Sequence, residues 1–326
     1  MSTERLTTVE TAGERAGPGR RMRMVTQYSF GGPEVLQVVE ADAPSPGPGE
    51  ALVRVRAASV NYGETNARSG KVPQMGPPPF ILGFDLSGTV EAVGEGVTRF
   101  RPGDEVFGMK FVGTYAEYVT VPADDLTPKP AGLDHGLAAA LPCAGLTAWQ
   151  ALVDIADVRA GQRVLVHAAA GGVGHLAVQI AKLRGAHVIG TARAAKHDFV
   201  RGLGADELID YTATDFTTAV RDVDMVFDLV GGAYGPRSLE VLRPGGLLVG
   251  AALDAGVTAE DAERAGRRYV WVGVHPAPRD LAHLADLVLD GRLRVSIQRT
   301  FPLEDLPKAH ELADSGRVTG KLVITL

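Results

Sequence analysis

Three glycines with the spacing of a ligand-binding turn stand between a buried strand and a helix. Gly171, Gly172 and Gly174 follow the apolar run 164–166, and apolar residues then recur at helical spacing. Small residues let the backbone approach a pyrophosphate, and the free N–H groups and positive dipole end of a helix N-terminus attract it. Where the usual G-x-G-x-x-G pattern has its first glycine, this chain has Ala169. The segment predicts a dinucleotide site, with a tight structural turn as the alternative.

Two cations follow the next expected strand, about twenty residues beyond the turn, where a dinucleotide fold contacts the ribose of its ligand. An Asp or Glu at this place binds the 2′-hydroxyl of NAD, whereas a basic residue suits the 2′-phosphate of NADP. The chain has Arg193 and Lys196 there, and the first carboxylate after Gly174 is Asp198. We therefore predict NADPH as the cofactor, with solvated surface charges as the alternative interpretation.

The residue types that bind metals or act as nucleophiles show no comparable pattern. The single cysteine, Cys143, excludes an internal disulfide and any cysteine-rich zinc lobe. The eight histidines show no metal-ligand or triad spacing, and we interpret His167 and His175 as structural or cofactor-adjacent. The sequence contains no G-x-S-x-G segment. These residues therefore favour neither a metal centre nor a hydrolase.

Length and composition describe the molecule that must position these residues. A chain of 326 residues suggests about two domains, and the net charge of −6 argues against a nucleic-acid or anionic-membrane surface. No apolar run approaches the roughly 20 residues that cross a bilayer. Together with the single cysteine, these features predict a cytoplasmic protein. The polar residues 1–22 lack a signal peptide's apolar core and predict a disordered extension, with a regulatory arm as the alternative.

The order of expected elements changes near residue 137. From about 24 to 127, short apolar or alternating runs separated by Gly and Pro predict a β-rich, partly closed domain. From 137 onward, helical segments alternate with strands and predict parallel βαβ units. After about 275, a helix and two strands resemble the first domain, so we expect the chain to return to it. The strands expected in the second part are 164–167, 187–191, 207–210, 225–229, 247–251 and 269–274.

Eight segments occur in an order typical of one family, and together they span roughly residues 23–326. They are 28–36, 60–61, 68–70, 83–94, 141–149, 168–174, 203–211 and 316–323. In these segments the chain resembles the medium-chain dehydrogenase/reductase superfamily, specifically its zinc-independent quinone oxidoreductase and enoyl reductase branch.

The resemblance implies an α/β fold. A Rossmann domain with a doubly wound parallel sheet is expected beside a discontinuous, β-rich, GroES-like substrate domain, with the active site in the cleft between them. The expected division is an extension at 1–22, the first part of the substrate domain at 23–139, the Rossmann domain at 140–275 and the return to the substrate domain at 276–326.

The resemblance also implies where cofactor and substrate lie. Asn61 is expected beside the nicotinamide or substrate, Thr147 near the nicotinamide ribose, and Arg317 over the cofactor. The residues expected at the pyrophosphate are Ala170, Gly171, Gly172, Val173 and Gly174. Those expected around the adenosine and its 2′-phosphate are Arg193, Lys196 and Tyr211. Those expected at the nicotinamide end are Ala251 and Gly273.

The resemblance bears on metal binding as well. Zinc-dependent relatives carry a cysteine early in the substrate domain and a Gly-His-Glu segment after it. At these positions this chain has the segment beginning at Asn61 and the residues Gly83, Phe84 and Asp85. A catalytic zinc needs three side-chain ligands, and Cys143 has no evident partners in the sequence. We therefore expect a buried structural cysteine and no metal.

The proton donor is left open by the sequence. Many relatives place a tyrosine a few residues after the Asn61 position, where this chain has Asn66. Tyr62 and Lys71 are the nearby candidates. A lysine and an aspartate near the cofactor, which Lys196 and Asp215 loosely resemble, and water are the alternatives.

Without a metal, a hydride acceptor must already be electrophilic, as conjugated carbonyl compounds are. The expected function is an NADPH-dependent oxidoreductase that reduces a small-molecule quinone, enone or enoyl thioester, with Asn61 polarising the carbonyl. A biosynthetic enoyl reductase acting on a natural-product intermediate, or a non-catalytic NADPH-binding sensor or scaffold, are the alternatives. We expect no nucleic-acid or membrane partner, and a homodimer formed through an edge strand at 269–274.

Overall fold

The computed structural model describes residues 16–326, which form two compact units. The first unit comprises residues 16–143, Pro276–Leu289 and Ile297–Leu326, and the second comprises Ala144–His275 and Asp290–Ser296. The architecture is the predicted α/β class, in which a doubly wound parallel sheet accompanies a discontinuous β-rich unit. Residues 290–296, which the sequence assigns to the returning segment, pack in the second unit, where both polar atoms of the Gln179 side chain bond to the Arg294 backbone.

The extension predicted at 1–22 is corrected at its C-terminal end. A strand, β1, begins at Ala16 and pairs with the strand that follows it in the chain. Met22 is buried in a small core cluster that includes Leu52 and Tyr118, and Arg21 pairs with Asp42 across the two strands at 3.2 Å. These contacts order the segment despite its polar composition. Residues 1–15 lie outside the described residues.

The first unit contains a mostly antiparallel sheet. Its strand order is β14-β15-β3-β4-β5-β7, with β6 also paired to β3, while β1 and β2 pair with each other. The strands are β1 (Ala16–Thr26), β2 (Gln37–Pro44), β3 (Glu50–Val60), β4 (Asp85–Val93), β5 (Glu105–Met109), β6 (Tyr118–Pro122), β7 (Leu126–Pro128), β14 (Ile297–Pro302) and β15 (Lys321–Thr325). The helices of this unit are α1 (Tyr62–Arg68), α2 (His135–Ala140), α9 (Pro278–Leu289) and α10 (Leu306–Asp314).

β3 lies inside this sheet, where it pairs with β15, β4 and β6. Val53 and Val55 are buried while Arg54 and Arg56 are exposed, which is the period-2 pattern of a strand with one solvated face. Beyond Arg56 both faces become buried, and β15 covers this end of β3 as an antiparallel neighbour. The first and last parts of the chain therefore share one sheet.

The second unit contains a parallel sheet with the strand order β10-β9-β8-β11-β12-β13. Its strands are β8 (Arg163–Val166), β9 (His187–Thr191), β10 (Glu207–Ile209), β11 (Val223–Asp228), β12 (Leu242–Gly250) and β13 (Arg268–Trp271). Its helices are α3 (Pro142–Trp149, from Ala144 onward), α4 (Gly174–Leu183), α5 (His197–Arg201), α6 (Phe216–Ala219), α7 (Tyr234–Val241) and α8 (Ala259–Arg264). From β8 the chain winds outward to β10, then crosses over and winds outward again from β11 to β13.

The central strand is apolar for a physical reason. Val164, Leu165 and Val166 are fully buried because β8 has a strand on either side and both of its faces are covered. In open parallel sheets, ligands bind at the carboxyl ends of the strands where the winding reverses, which here is the end of β8. Within residues 16–326, none of the helices is both long and apolar enough to span a membrane.

Candidate functional site

The glycine-rich turn leads directly from β8 into α4. Gly174 is the first residue of that helix, and a Cβ atom there would overlap the carbonyl oxygen of Ala168. Ala168 itself has a positive φ of 49°, and its carbonyl accepts a hydrogen bond from Gly171 N at 2.9 Å. Glycine at 174 is therefore required for the helix to begin this close to the strand end. The turn therefore places the N-terminus of α4 after the carboxyl end of β8, which is where a dinucleotide fold binds its pyrophosphate.

Other predicted cofactor residues follow the carboxyl ends of neighbouring parallel strands. Arg193 lies two residues beyond β9 and Tyr211 two residues beyond β10. Ala251 directly follows β12 and donates its N–H to Asp228 O at 2.9 Å, and Gly273 lies two residues beyond β13. Because the strands are parallel, these ends share one edge of the sheet with the glycine-rich turn. The structure thus brings these residues together along one edge.

A pair of cations marks one end of this edge. The Arg193 Nε donates to the Tyr211 hydroxyl at 3.0 Å, and the guanidinium carbon lies 5.9 Å from the centre of the Tyr211 ring. Partial burial and the neighbouring Arg193 both lower the pKa of the Lys196 ammonium. Two close like charges are stabilised by a bound anion, and a phosphate offers the two negative charges that this pair can accept.

The remaining predicted cofactor residues lie in different places. Ala170 is buried in the glycine-rich turn, next to the half-buried Val173 that precedes α4. Thr147 is buried in α3 of the second unit. Arg317 is exposed in the first unit, between α10 and β15.

Asn61, the predicted catalytic residue, is the N-cap of α1 and directly follows β3. Its side-chain N–H groups donate to Asp85 Oδ2 at 2.9 Å and to Glu64 Oε1 at 3.2 Å. Its side-chain oxygen accepts from Lys321 Nζ at 2.6 Å. All the donor capacity of the amide is therefore used within the unit, and the amide orientation is fixed because the three partners would not tolerate a flip.

Glu64 lies beneath Asn61 and is fully buried. Its carboxylate accepts from Asn61 N at 2.9 Å, from Phe84 N at 2.7 Å, from the Asn61 amide and from the Tyr115 hydroxyl. Burial raises the pKa of Glu64 to about 7, while the hydrogen bonds from Tyr115 and Asn61 act in the opposite direction. The Tyr115 hydroxyl also lies 3.3 Å from Ser59 O, so it has a second acceptor if Glu64 takes up a proton.

Lys321 and Asp85 complete this cluster. Lys321 is 2% exposed, donates to Val60 O at 3.1 Å and lies 3.6 Å from Asp85 Oδ2. Asp85 also accepts from Cys143 N at 2.7 Å and from the Ser59 hydroxyl. A buried ammonium thus stands between an amide oxygen and a carboxylate, which compensates part of its desolvation cost.

The two predicted proton donors lie outside this cluster. Tyr62, the first residue of α1, is 66% exposed. Lys71 is an exposed loop residue whose backbone N–H donates to Asn66 O at 2.9 Å. Neither side chain has a contact within the structure that selects it as the donor. Over residues 16–326, no three His, Cys, Asp or Glu side chains are grouped so that they could hold a metal ion.

Glu64, Tyr115 and Lys321 are not among the residues that the sequence predicts for the site. Asn61 and Glu64 have the N-cap and N3 spacing of a capping box, so one of these residues had a local signal. Lys321 has none: it reaches Asn61 because β15 pairs with β3, with Leu322 opposite Val60. Tyr115 lies in the segment before β6 and likewise shows no local pattern.

The second unit can hold a phosphorylated dinucleotide. Glycine is required at the start of α4, the helix N-terminus faces the strand edge, and two cations lie where a 2′-phosphate would be bound. These features fit NADPH. The first unit offers a fixed amide, a buried ammonium and a carboxylic acid of raised pKa, which can orient a polar group and hold a proton.

Two segments of the chain match known protein families. Residues 47–131 match the alcohol dehydrogenase GroES-like domain, and residues 203–324 match a family described as zinc-binding dehydrogenase. The first match identifies the β-rich unit as the GroES-like domain that the sequence predicts.

Similar proteins cover nearly the full chain. A quinone oxidoreductase of Pseudomonas aeruginosa is 34% identical over 316 residues, which are 91% of this chain and 97% of that protein. A 2-haloacrylate reductase of a Burkholderia species is also 34% identical, with the same coverage of both chains. The crystal structure of an Escherichia coli quinone oxidoreductase complexed with NADPH is 30% identical, covers 93% of this chain and 100% of its own, and superimposes with a TM-score of 0.88.

Proposed function

Because the chain belongs to the medium-chain dehydrogenase/reductase superfamily, in its quinone oxidoreductase branch, and is an NAD(P)H oxidoreductase, we propose that it uses NADPH to reduce a conjugated carbonyl compound. The observation that carries the cofactor choice is the pair Arg193 and Lys196 beyond β9. A carboxylate at this place would favour NADH, and the chain has none there.

The acceptor class follows from two relatives and from the donor groups of the first unit. A quinone and a 2-haloacrylate both contain a carbon–carbon double bond conjugated with a carbonyl carbon. Hydride addition to such a bond produces an enolate-type oxygen that hydrogen bonds can stabilise without a metal ion. We therefore propose zinc-independent 1,4-reduction of a quinone, enone or enoyl thioester.

The chain's own residues bind and orient the reactants. When bound, NADPH supplies a hydride from its nicotinamide. The proposed cofactor-binding residues are Thr147, Ala170, Gly171, Gly172, Val173, Gly174, Arg193, Lys196, Tyr211, Ala251, Gly273 and Arg317. Asn61 orients the acceptor carbonyl, and it can do so by exchanging its longer N–H bond, the one to Glu64 at 3.2 Å, for the acceptor oxygen.

The proton that completes the reduction has several possible sources. Tyr62 is exposed beside Asn61, and Lys71 lies in the following loop, so either side chain or water can deliver it. We propose water as sufficient, because neither side chain is held by contacts that would aim it.

The reaction is tested by NADPH consumption against a panel of quinones, enones and enoyl thioesters, with EDTA present. We expect turnover that is unaffected by the chelator. With an enone or an enoyl thioester as the acceptor and a cofactor deuterated at the transferred position, the product should carry deuterium at the β-carbon and a solvent proton at the α-carbon. Deuterium at a carbinol carbon, or activity lost with removal of a stoichiometric zinc, would contradict the proposal.

Variants in the same assay test the residue roles. Asn61→Ala should lower turnover more than it lowers NADPH affinity, whereas Tyr62→Phe and Lys71→Met should each leave turnover measurable. One hydrogen bond to a developing oxyanion is worth about 3 kcal/mol, so a loss of roughly a hundredfold is expected for Asn61→Ala. NADPH binding without turnover of any acceptor would instead favour a sensor or scaffold.

A further inference from the structure

Ala168 fixes the geometry of the cofactor-binding turn. It is the residue at which the chain leaves the β8 direction, and its φ of 49° is unfavourable for a residue with a side chain. Its carbonyl accepts Gly171 N at 2.9 Å and lies against Gly174, so the start of α4 depends on where this peptide group points. Such a conformation persists only when the surrounding contacts hold it.

The contact that holds Ala168 comes from the neighbouring strand. Ala168 N donates to the hydroxyl oxygen of Thr191 at 3.2 Å, and Ala169 N donates to the Thr191 carbonyl at 3.0 Å. Thr191 is the last residue of β9, two residues before Arg193. One side chain therefore joins the glycine-rich turn to the strand that leads to the expected phosphate-binding cations.

The Thr191 hydroxyl is oriented by a buried histidine. His167 Nδ1 lies 3.2 Å from the Thr191 hydroxyl oxygen, and its Nε2 lies 3.1 Å from the Ser238 hydroxyl oxygen. The ring is fully buried against the stacked rings of Phe216 and Tyr234, whose centres are 4.6 and 4.9 Å away in edge-on arrangements. This packing leaves the ring no other orientation that satisfies both nitrogens.

A neutral imidazole matches these partners. Burial and, to a smaller extent, the charge of Arg237 lower the pKa of His167 to about 3. A neutral ring has one N–H and one acceptor nitrogen, and each hydroxyl can serve as donor or acceptor. Since Ala168 N already donates to Thr191, the hydroxyl keeps one proton and one lone pair for the ring. All the polar groups are then satisfied.

We propose that Thr191, oriented by the buried ring of His167, is a positioning residue that presets the glycine-rich turn for the cofactor pyrophosphate. This inference rests on the proposed function, since it assumes that the turn binds NADPH. It predicts that removing one hydroxyl group at the end of β9 weakens cofactor binding although that group does not touch the cofactor.

The test is the direct binding of NADPH to three variants, measured through the fluorescence of NADPH. Thr191→Val keeps the branched shape and should raise the Kd about fivefold to tenfold, since one hydrogen bond to the turn is lost. Thr191→Ser keeps the hydroxyl and should bind within about twofold of the wild type. Ile189→Val, a buried apolar change in the same strand, controls for a general loss of stability. The KM for the acceptor should not change in any of them.

Equal weakening by Thr191→Val and Ile189→Val, or none by Thr191→Val, would overturn the inference. Should Thr191→Val not fold, hydrogen exchange of the wild type without NADPH decides instead: the Ala168 amide should already be protected, and exchange as fast as in an exposed loop would contradict a preset turn. A wild type that binds neither NADPH nor NADH would contradict the proposed function, which separates the two failures.

Discussion

At the scale of single residues, Arg193 carries the cofactor prediction. It lies just past β9 and bonds to Tyr211 through Nε, and its charge lowers the pKa of the neighbouring Lys196. Neither a carboxylate nor a neutral polar residue at this place could bind a phosphate in the same way. We propose the charge of this pair as the feature that favours NADPH over NADH.

Arg193→Ala should weaken NADPH binding by roughly ten- to a hundredfold, because a hydrogen bond to a charged group is worth about 1.5–3 kcal/mol. NADH binding should change little, since NADH lacks the 2′-phosphate. Titration of both cofactors with the wild type and the variant checks this. Arg201→Ala is the matched control, because Arg201 pairs with Asp198 on α5 and should leave both affinities unchanged. Equal wild-type affinities for the two cofactors would refute the assignment.

At the scale of elements, the two edges of the parallel sheet differ. β10 is short and begins with Glu207, which pairs with His187, so a charge protects that edge. β13 pairs with β12 on one side, and Val270 and Trp271 are 38% and 50% exposed. In the part of the chain that the structure describes, no other strand pairs with this edge. An apolar, unpaired edge of this kind favours association with a second copy.

We expect a homodimer in which two β13 strands pair across a twofold axis. Val270→Lys places a charge on the edge and should yield a monomer, because charged side chains block strand pairing. Light scattering or sedimentation measures the mass of each species. Glu207→Lys, a charge change on the opposite edge, should remain dimeric. A wild-type mass of one chain that is independent of concentration would exclude this dimer.

At the scale of the whole molecule, the cluster around Glu64 links stability to pH. It joins the end of β3, α1, β4 and β15 around one buried carboxyl group. The folded pKa of about 7 exceeds the usual value of 4.5, so the folded protein binds more protons than the unfolded chain between these values. The contribution of Glu64 to stability is therefore full below about pH 4.5 and is lost as the pH rises through 7.

The expected loss is on the order of 3 kcal/mol in the free energy of unfolding, at 1.36 kcal/mol for each pKa unit. Urea unfolding of the wild type and of Glu64→Gln between pH 5 and 8 measures this loss. It is the change with pH in the difference between their free energies of unfolding. Glu95→Gln, a change at an exposed carboxylate, should keep the wild-type pH dependence. A difference between wild type and Glu64→Gln that stays constant with pH would show that Glu64 does not titrate in this range.

The sequence by itself determined the elements whose patterns are local. The strand at 187–191 has the expected bounds because its apolar run is bordered by polar and glycine residues. The glycine-rich turn and the cations after β9 were also readable, since strand, turn and helix follow one another in the chain. By contrast, β1 begins before the predicted boundary because its order comes from pairing with β2, which composition does not reveal.

Only the tertiary structure decided which polar groups meet. Lys321 reaches Asn61 through the pairing of β15 with β3, and Asp85 reaches it through the pairing of β3 with β4, in which Ser59 lies opposite Asp85. His167 and Thr191 meet because β8 and β9 are neighbours. Periodicity reports which face of an element is buried, but strand register determines which side chains share that burial, and register depends on contacts far apart in the chain.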